Sequence, residues 1–415
     1  MHTGPRLRFE LFNSDQCNDV ITFLPEWRKL VDGHNNHYLQ YQSPEWWEHL
    51  SATGHRQSIF VLRIIQDNQL VGVVPLQRRN VTLWLTPNKL PFSRVSIPCV
   101  EVLGGQPLAP AEADIAVRMF ESIFAQCEGI QAAYIKSVSQ TSEWYDLLAK
   151  AANSANGCFP HISREEIFHF LTLPASFDGF LQRFTKKKRY NLKRQLRLME
   201  ETYSDKLRLE CITSADRVDA FLEASSAVAA VSWKQGSLTS ALMRNADNQA
   251  RYADLAGRGL FRSYVLYDDE RPVAYALGYQ YGNIYHYSDI AYAESELHLS
   301  PGTVLLLLIV RNLIESTSMR QINFGASDAD YKRQLADQHT RDRSLLVFRS
   351  TLRNHLLSAA HAANIKTVSL IKSVYRRADA RGGADAEDAA QAKRANATNN
   401  LAPSRPTKRT VGEPE

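Results

Sequence analysis

The stretch that decides the fold runs from Ile284 to Lys332. It contains Ile284-Tyr-His-Tyr-Ser-Asp-Ile-Ala-Tyr292, Leu299-Ser-Pro-Gly-Thr303, the apolar run Val304–Val310, Asn323-Phe-Gly325 and Asp330-Tyr-Lys332. A Tyr-rich strand ends here in a Ser-Pro-Gly turn, and the turn opens a helix. A helix start presents backbone N–H groups without intrahelical partners at the positive end of the helix dipole. That geometry suits a phosphate or another anion.

Working outward, two hairpin signatures precede this stretch. Phe261–Tyr267 and Pro272–Tyr281 flank the acidic turn Asp268-Asp269-Glu270-Arg271, and Asn283–Ala291 adds a third strand. Ser58–Ile65 and Leu70–Gln77 flank Asp67-Asn68 in the same manner. Two similar hairpins in similar settings point to a duplicated α/β unit. Ser43-Pro44 starts a helix, with Ser as N-cap and Pro at the first helical position. Ala111–Cys127 has helical spacing, and Ala132–Val138 reads as a strand. The small-residue segment Asn153–Pro160 reads as a boundary, after which the strand Ile167–Leu173 restarts the pattern.

The chain has 415 residues, 44% of them hydrophobic, which is enough for two or three domains with sizeable cores. Its net charge of +5 does not by itself call for nucleic acid or a membrane. Five widely spaced cysteines, Cys17, Cys99, Cys127, Cys158 and Cys211, form no Cys-x-x-Cys pair. That argues against a disulfide framework or a structural zinc site, and no metal is expected. The N-terminus lacks an apolar signal core, and the longest apolar run is far below the roughly 20 residues a membrane span needs. The expected location is cytoplasmic. From about Asp379 the chain has few large apolar groups and is expected to be disordered.

Together, the order of hairpin, Tyr-rich strand, Ser-Pro-Gly, helix, Phe-Gly and Tyr-Lys resembles the GNAT acyltransferase superfamily. Within it the chain resembles the FemAB-like branch that includes CelD-type acetyltransferases of polysaccharide biosynthesis. Lys187-Lys-Arg-Tyr-Asn-Leu-Lys-Arg194, Ser232-Trp-Lys234 and Arg271-Pro-Val-Ala274 agree with that branch. One departure is Asn323, where the family often has Asp before Phe-Gly.

The resemblance implies transfer of an acyl group from acetyl-CoA or another acyl-CoA to an amine or hydroxyl, with no metal. The implied fold is α/β, with two tandem GNAT-like units of mixed sheet flanked by helices. The implied domains are an N-terminal half at 1–160 and an acyl-CoA-binding half at 161–350. A helix at 351–377 and a disordered tail at 378–415 follow. The donor's pyrophosphate is expected at the turn formed by Ser300, Pro301, Gly302, Thr303 and Val304, on the N–H groups of the last three. The acceptor, a small molecule or a glycan precursor, is expected between the halves.

For the chemistry, strand alternation puts Tyr285, Tyr287 and Asp289 on one face and His286, Ser288 and Ile290 on the other. Asp289 is the expected base or acceptor-orienting carboxylate, and Tyr287 or Tyr331 the acid. Trp233, Lys234, His286 and Lys332 are expected around the acceptor. The cationic run Lys186–Arg197 is either a solvated helix face or an anion-binding one.

Two further readings stand beside this one. One is a FemAB-type transferase using aminoacyl-tRNA on a cell-wall precursor, the only case in which nucleic acid is expected. The other is a non-catalytic GNAT-fold protein of polysaccharide biosynthesis. No Rossmann glycine fingerprint, nucleic-acid-binding signature or Gly-x-Ser-x-Gly elbow is present.

Overall fold

A computed structural model describes residues 7–13, 16–34, 36–53, 58–87, 93–234, 242–327, 329–371 and 373. The strands are β1 (Leu7–Asn13), β2 (Ile59–Gln66), β3 (Gln69–Trp84), β4 (Arg94–Val102), β5 (Ala132–Ser139), β6 (Cys158–Thr172), β7 (Leu207–Ile212), β8 (Ser263–Asp268), β9 (Arg271–Tyr281), β10 (Ile284–Tyr292), β11 (Gln321–Ala326) and β12 (Gln338–Arg349). The helices are α1 (Cys17–Ile21), α2 (Leu24–Asp32), α3 (Pro44–Ala52), α4 (Ala113–Gln126), α5 (Trp144–Ser154), α6 (Phe177–Gln182), α7 (Lys186–Tyr203), α8 (Val218–Ala230), α9 (Ala246–Gly257), α10 (Pro301–Ser316) and α11 (Asp330–Leu335).

The twelve strands form one sheet in the order β1-β2-β3-β4-β5-β12-β6-β11-β10-β9-β8-β7. This order reads as two copies of one plan. In each copy four strands are followed by a fifth that runs parallel to the fourth, β5 beside β4 and β11 beside β10. The sixth strands are exchanged. β6 leaves the first half to pair antiparallel with β11, and β12 returns to pair antiparallel with β5. The two exchanged strands then pair with each other along most of their length. The tandem GNAT-like α/β plan expected from the sequence is therefore present. The expected boundary at residue 160 falls inside β6, because that strand carries the chain from one half into the other.

Helices cover both faces. On one face a single core runs across both halves, joining Trp27, Trp47 and Val61 to Phe221, Tyr252 and Tyr275. Here α3 meets α9 through His49 Nδ1 and Asp254 Oδ2 at 2.7 Å, and Arg258 reaches Glu48 at 2.7 Å. The other face has two separate cores. One lies under α4 and α5, around Phe120, Ile123 and Leu148. The other lies under α7 and α10, around Leu192, Leu196, Leu305 and Val310. The spacing of 192, 196 and 199 along α7 buries one stripe and leaves the cations on the rest of its surface.

Ser43 caps α3 as expected, its hydroxyl accepting from Trp46 N, with Pro44 at the first helical position. Both hairpins form, and their turns use positive φ at Asp67, Asn68 and Asp269. The described residues fall into two compact units, those within 1–82 and 96–355 and those within 83–95 and 356–373. In the second, Leu85 N donates to Ser93 O, and residues 356–371 are helical. The expected disordered tail lies outside the described residues. All that follows concerns the first unit.

Candidate active site

The parallel pair β10–β11 is short. Ile284, Tyr285 and His286 pair with Gln321, Ile322 and Asn323, and there the pairing stops. Beyond it β11 turns away through Gly325, at φ 69°, and Ser327, at φ 93°. The strands thus part as a fork between Tyr287-Ser288 and Phe324-Gly325-Ala326. The fork opens into a cavity of about 490 Å³. Both halves line it, with Arg79, Glu101 and Lys136 from the first and Arg251, Tyr279 and Lys332 from the second.

On the opposite edge, β10 has a bulge. Tyr287 pairs with Gly278 of β9, but the next pair is Asp289 with Leu277, so Ser288 is an extra residue. The bulge corrects the expected alternation. Tyr285, Tyr287 and Ile290 pack with the α7–α10 core, while Ala291 belongs to the core on the other face. Asp289 turns to that second face, where its carboxylate accepts from Tyr275 Oη at 3.1 Å and pairs with Lys234 Nζ. It does not line the cavity among the described residues. Its expected role as base is therefore not supported, because its proton-accepting oxygens are engaged away from the fork. Trp233 is 58% exposed, with the Lys234 ammonium 5.1 Å from its ring.

Three of the expected residues do meet at the cavity: Tyr287, His286 and Lys332. The Tyr287 hydroxyl is buried without a hydrogen-bond partner among the described residues. Burial pushes its pKa well above the ordinary tyrosine value, so it is a protonated donor at neutral pH. Burial pushes His286 down to about 3, which keeps the imidazole neutral. Lys332 Nζ donates to Ala326 O at 2.5 Å and to Ser327 Oγ at 3.0 Å. Desolvation pushes its pKa down to about 8, opposed by the charge of Glu166. Tyr331 sits edge-on against Phe324 at 6.3 Å, and burial raises its pKa to about 12. Asn323 does not offer a charge. Its Oδ1 accepts from Gly325 N at 2.8 Å and holds the bend that opens the fork.

At the start of α10, Ser300 is left-handed, at φ 55° and ψ 51°, and Pro301 is the first helical residue. Here a second correction applies. Thr303 N and Val304 N both donate to Ser300 O, at 3.0 and 3.1 Å. Of the three expected anion donors only Gly302 N lacks a backbone acceptor among the described residues. Gly302 also has a packing reason to be glycine, since an added Cβ would lie 2.9 Å from the Tyr292 ring. From α7, Gln195 Nε2 reaches Ser300 Oγ at 3.2 Å.

The end of the first half's parallel pair, at Leu103, Gly104, Gly105, Lys136 and Ser137, lines the same cavity. After β4 the chain turns through Gly105, whose added Cβ would lie 1.7 Å from Ser137 O on β5. Gly105 therefore keeps the chain against β5 where it reaches the cavity. The sequence reading missed Arg79, Glu101, Lys136 and Arg251 as cavity residues. The only local signal was the Gly104-Gly105 pair after a strand.

A forked parallel pair, a bulged strand and a Pro-Gly helix start now stand together in one segment. Residues 186–333 match the Acetyltransferase (GNAT) domain. The match begins at the first residue of α7 and ends inside α11, so the matched segment contains the fork, the bulge and Lys332. The helices and strands of the matched segment belong to the second half. Among solved structures, one described as FemX superposes with a TM-score of 0.55 at 13% identity, covering 77% of this chain and 95% of its own. At that identity the likeness is one of fold. A tandem GNAT protein from the clavulanic acid biosynthesis pathway gives a TM-score of 0.48 at 12% identity, covering 83% of this chain and 99% of its own. No curated protein sequence matches the chain. No helix among the described residues is long and apolar enough to cross a membrane, and no described cluster of His, Cys, Asp or Glu has metal-binding geometry.

Proposed function

We propose that the protein transfers an acyl group, such as acetyl, from coenzyme A to an amine or hydroxyl of a small-molecule or glycan-precursor acceptor. The observation that carries this reading is the fork between β10 and β11 in the GNAT domain, opening on a cavity with an unpartnered Tyr287 hydroxyl. The pantetheine arm enters the fork, and the pyrophosphate approaches Gly302 N at the start of α10. The acceptor occupies the cavity.

The acceptor nucleophile attacks the thioester carbon, and the C–S bond breaks as the new C–N or C–O bond forms. Lys332 takes the nucleophile's proton. As a neutral amine it donates its two N–H bonds to Ala326 O and Ser327 Oγ, which leaves its lone pair for the cavity. A base with a pKa near 8 is well matched to this proton transfer at neutral pH. Tyr287 gives its proton to the departing thiolate. The Ser288 bulge brings β10 backbone next to the thioester oxygen, where fixed dipoles stabilise developing charge. Asp289, Lys234 and Tyr275 brace the bulge from the other face, a positioning role. The likeness to the CelD-type branch supports work on a polysaccharide or cell-envelope precursor in the cytoplasm.

A second reading, transfer from aminoacyl-tRNA, is favoured by one observation, the exposed cationic face of α7. Lys186, Lys187 and Arg194 are exposed there, without carboxylate partners among the described residues. Release of free thiol from acetyl-CoA in the presence of a panel of amines, with an aminoacyl-tRNA arm alongside, tests both. Acceptor-dependent thiol release supports the first reading. Transfer from aminoacyl-tRNA alone replaces it with the second. Neither activity leaves a non-catalytic GNAT-fold protein.

A further inference from the structure

The cavity beside the fork has an uneven charge balance. Its cationic lining residues are Arg79, Lys136, Arg251 and Lys332, and its acidic ones are Glu101 and Glu166. Glu101 is buried and pairs with Arg79. Glu166 acts on Lys332. That leaves Lys136 on β5 and Arg251 on α9 without a carboxylate partner among the described residues.

Lys136 is exposed at the mouth of the cavity, whereas Arg251 stands against an aromatic wall. Arg251 is half-buried, and its guanidinium lies 5.4 Å from the Tyr252 ring. Near it Tyr41 meets Trp46 edge-on at 4.7 Å, and Trp46 meets Tyr279 edge-on at 6.4 Å. These three rings all line the cavity and give it an apolar wall. A cation against such a wall interacts more strongly with an anion than one in bulk water does. The aromatic faces suit the ring or aliphatic body of a ligand. The two cations come from opposite halves and line the same cavity.

We propose that this cavity selects an anionic acceptor: Arg251 and Lys136 hold its phosphate or carboxylate, and the Tyr41–Trp46–Tyr279 wall covers its body. The acceptor's amine or hydroxyl then lies at the fork, beside Tyr287 and Lys332. This rests on the acyl-transfer reading for the identity of the fork, but the anion site itself is tested separately. A neutral acceptor of the same shape leaves both cations unpaired and binds more weakly.

The test is isothermal titration of pyrophosphate and of succinate into the full chain saturated with CoA, so that the donor's own phosphates do not compete. The two arms separate a phosphate-bearing acceptor from a carboxylate-bearing one. The expected result is that one of them binds wild type, and that Arg251→Gln and Lys136→Gln each weaken it at least tenfold. Acetyl-CoA affinity stays within twofold in both variants, which also reports that they are folded. Lys193→Gln, on α7 and outside the cavity lining, leaves anion binding unchanged. If neither anion binds wild type, or both variants bind as tightly as wild type, the proposal is overturned. Anion binding that depends on Arg251, with no acetyl-CoA binding at all, supports the anion site and removes the donor reading instead.

Discussion

Tyr287 and Asp289 are two residues apart on β10, yet they face opposite sides of the sheet. The Ser288 bulge inserts one residue between them, so strand alternation is reversed at that point. Tyr287 goes to the fork and its cavity, and Asp289 goes to Lys234 and Tyr275. The chemistry divides along the same line, with proton transfer on one side and bracing on the other.

Asp289→Ala is expected to act on stability more than on the chemical step. The Lys234 side chain is 9% exposed and would be left charged without its carboxylate. Breaking a buried pair from one side costs about 3–5 kcal/mol. The Asp289 side chain is 25% exposed, so about 2 kcal/mol is expected here. Urea unfolding measures this loss. Asp289→Leu with Lys234→Met is expected to lose less than either single variant. A pH–rate profile whose shape changes in Asp289→Asn would return the carboxylate to the proton-transfer role.

Tyr287→Phe is expected to do the reverse. The hydroxyl has no partner among the described residues, so removing it leaves stability unchanged or raises it by up to about 1 kcal/mol. Losing the proton donor lowers kcat by about tenfold to a hundredfold. A variant as active as wild type would assign the thiolate's proton to another group.

The sequence carried the local part of this picture. The acidic turns at Asp67-Asn68 and Asp268-Asp269, the Ser43-Pro44 helix start and the Ser300-Pro301 turn all formed as read, because neighbours in the chain determine them. What was not legible depends on distant partners. β12 begins Gln338-His-Thr-Arg-Asp, a polar run whose strand conformation comes from pairing with β6 and β5. β4 carries Pro98 in mid-strand. The bulge at Ser288 follows from register against β9, which no period in β10 reveals. Lys136 and Arg251 lie far apart in the chain and meet one cavity through tertiary structure alone.

Lys332 sets the expected pH dependence. Its pKa is lowered from the ordinary lysine value to about 8 in the fold. As a base it must be neutral, so kcat/KM is expected to rise with pH and level off above about 8. For stability the sign is the same. The unfolded chain binds the proton more tightly, so stability rises with pH from about 8 toward the ordinary lysine range. Lys332→Met is expected to lose the rising limb of the rate profile. At pH 7 it is expected to gain about 1 kcal/mol, since replacing a buried charge with an apolar chain is often stabilising. A rate profile that keeps its limb in Lys332→Met would remove Lys332 from this role.

Gly302→Ala is expected to raise KM for acyl-CoA more than it lowers kcat. The new methyl meets the Tyr292 ring at 2.9 Å and moves it at the start of α10. Overpacking of this kind typically costs about 1–3 kcal/mol, at the low end where a half-buried ring can shift. Tyr292→Leu in the same chain is expected to relieve the crowding. Unfolding curves of the single and double variants measure that coupling.

Titration of acetyl-CoA into the full chain tests the central claim most directly, with wild type beside Gly302→Trp. Wild type is expected to bind one acetyl-CoA with a micromolar Kd. Gly302→Trp is expected to lose that binding while thermal unfolding shows it still folded. No binding to wild type, or equal binding by both proteins, would contradict a donor site at the β10–β11 fork and the start of α10.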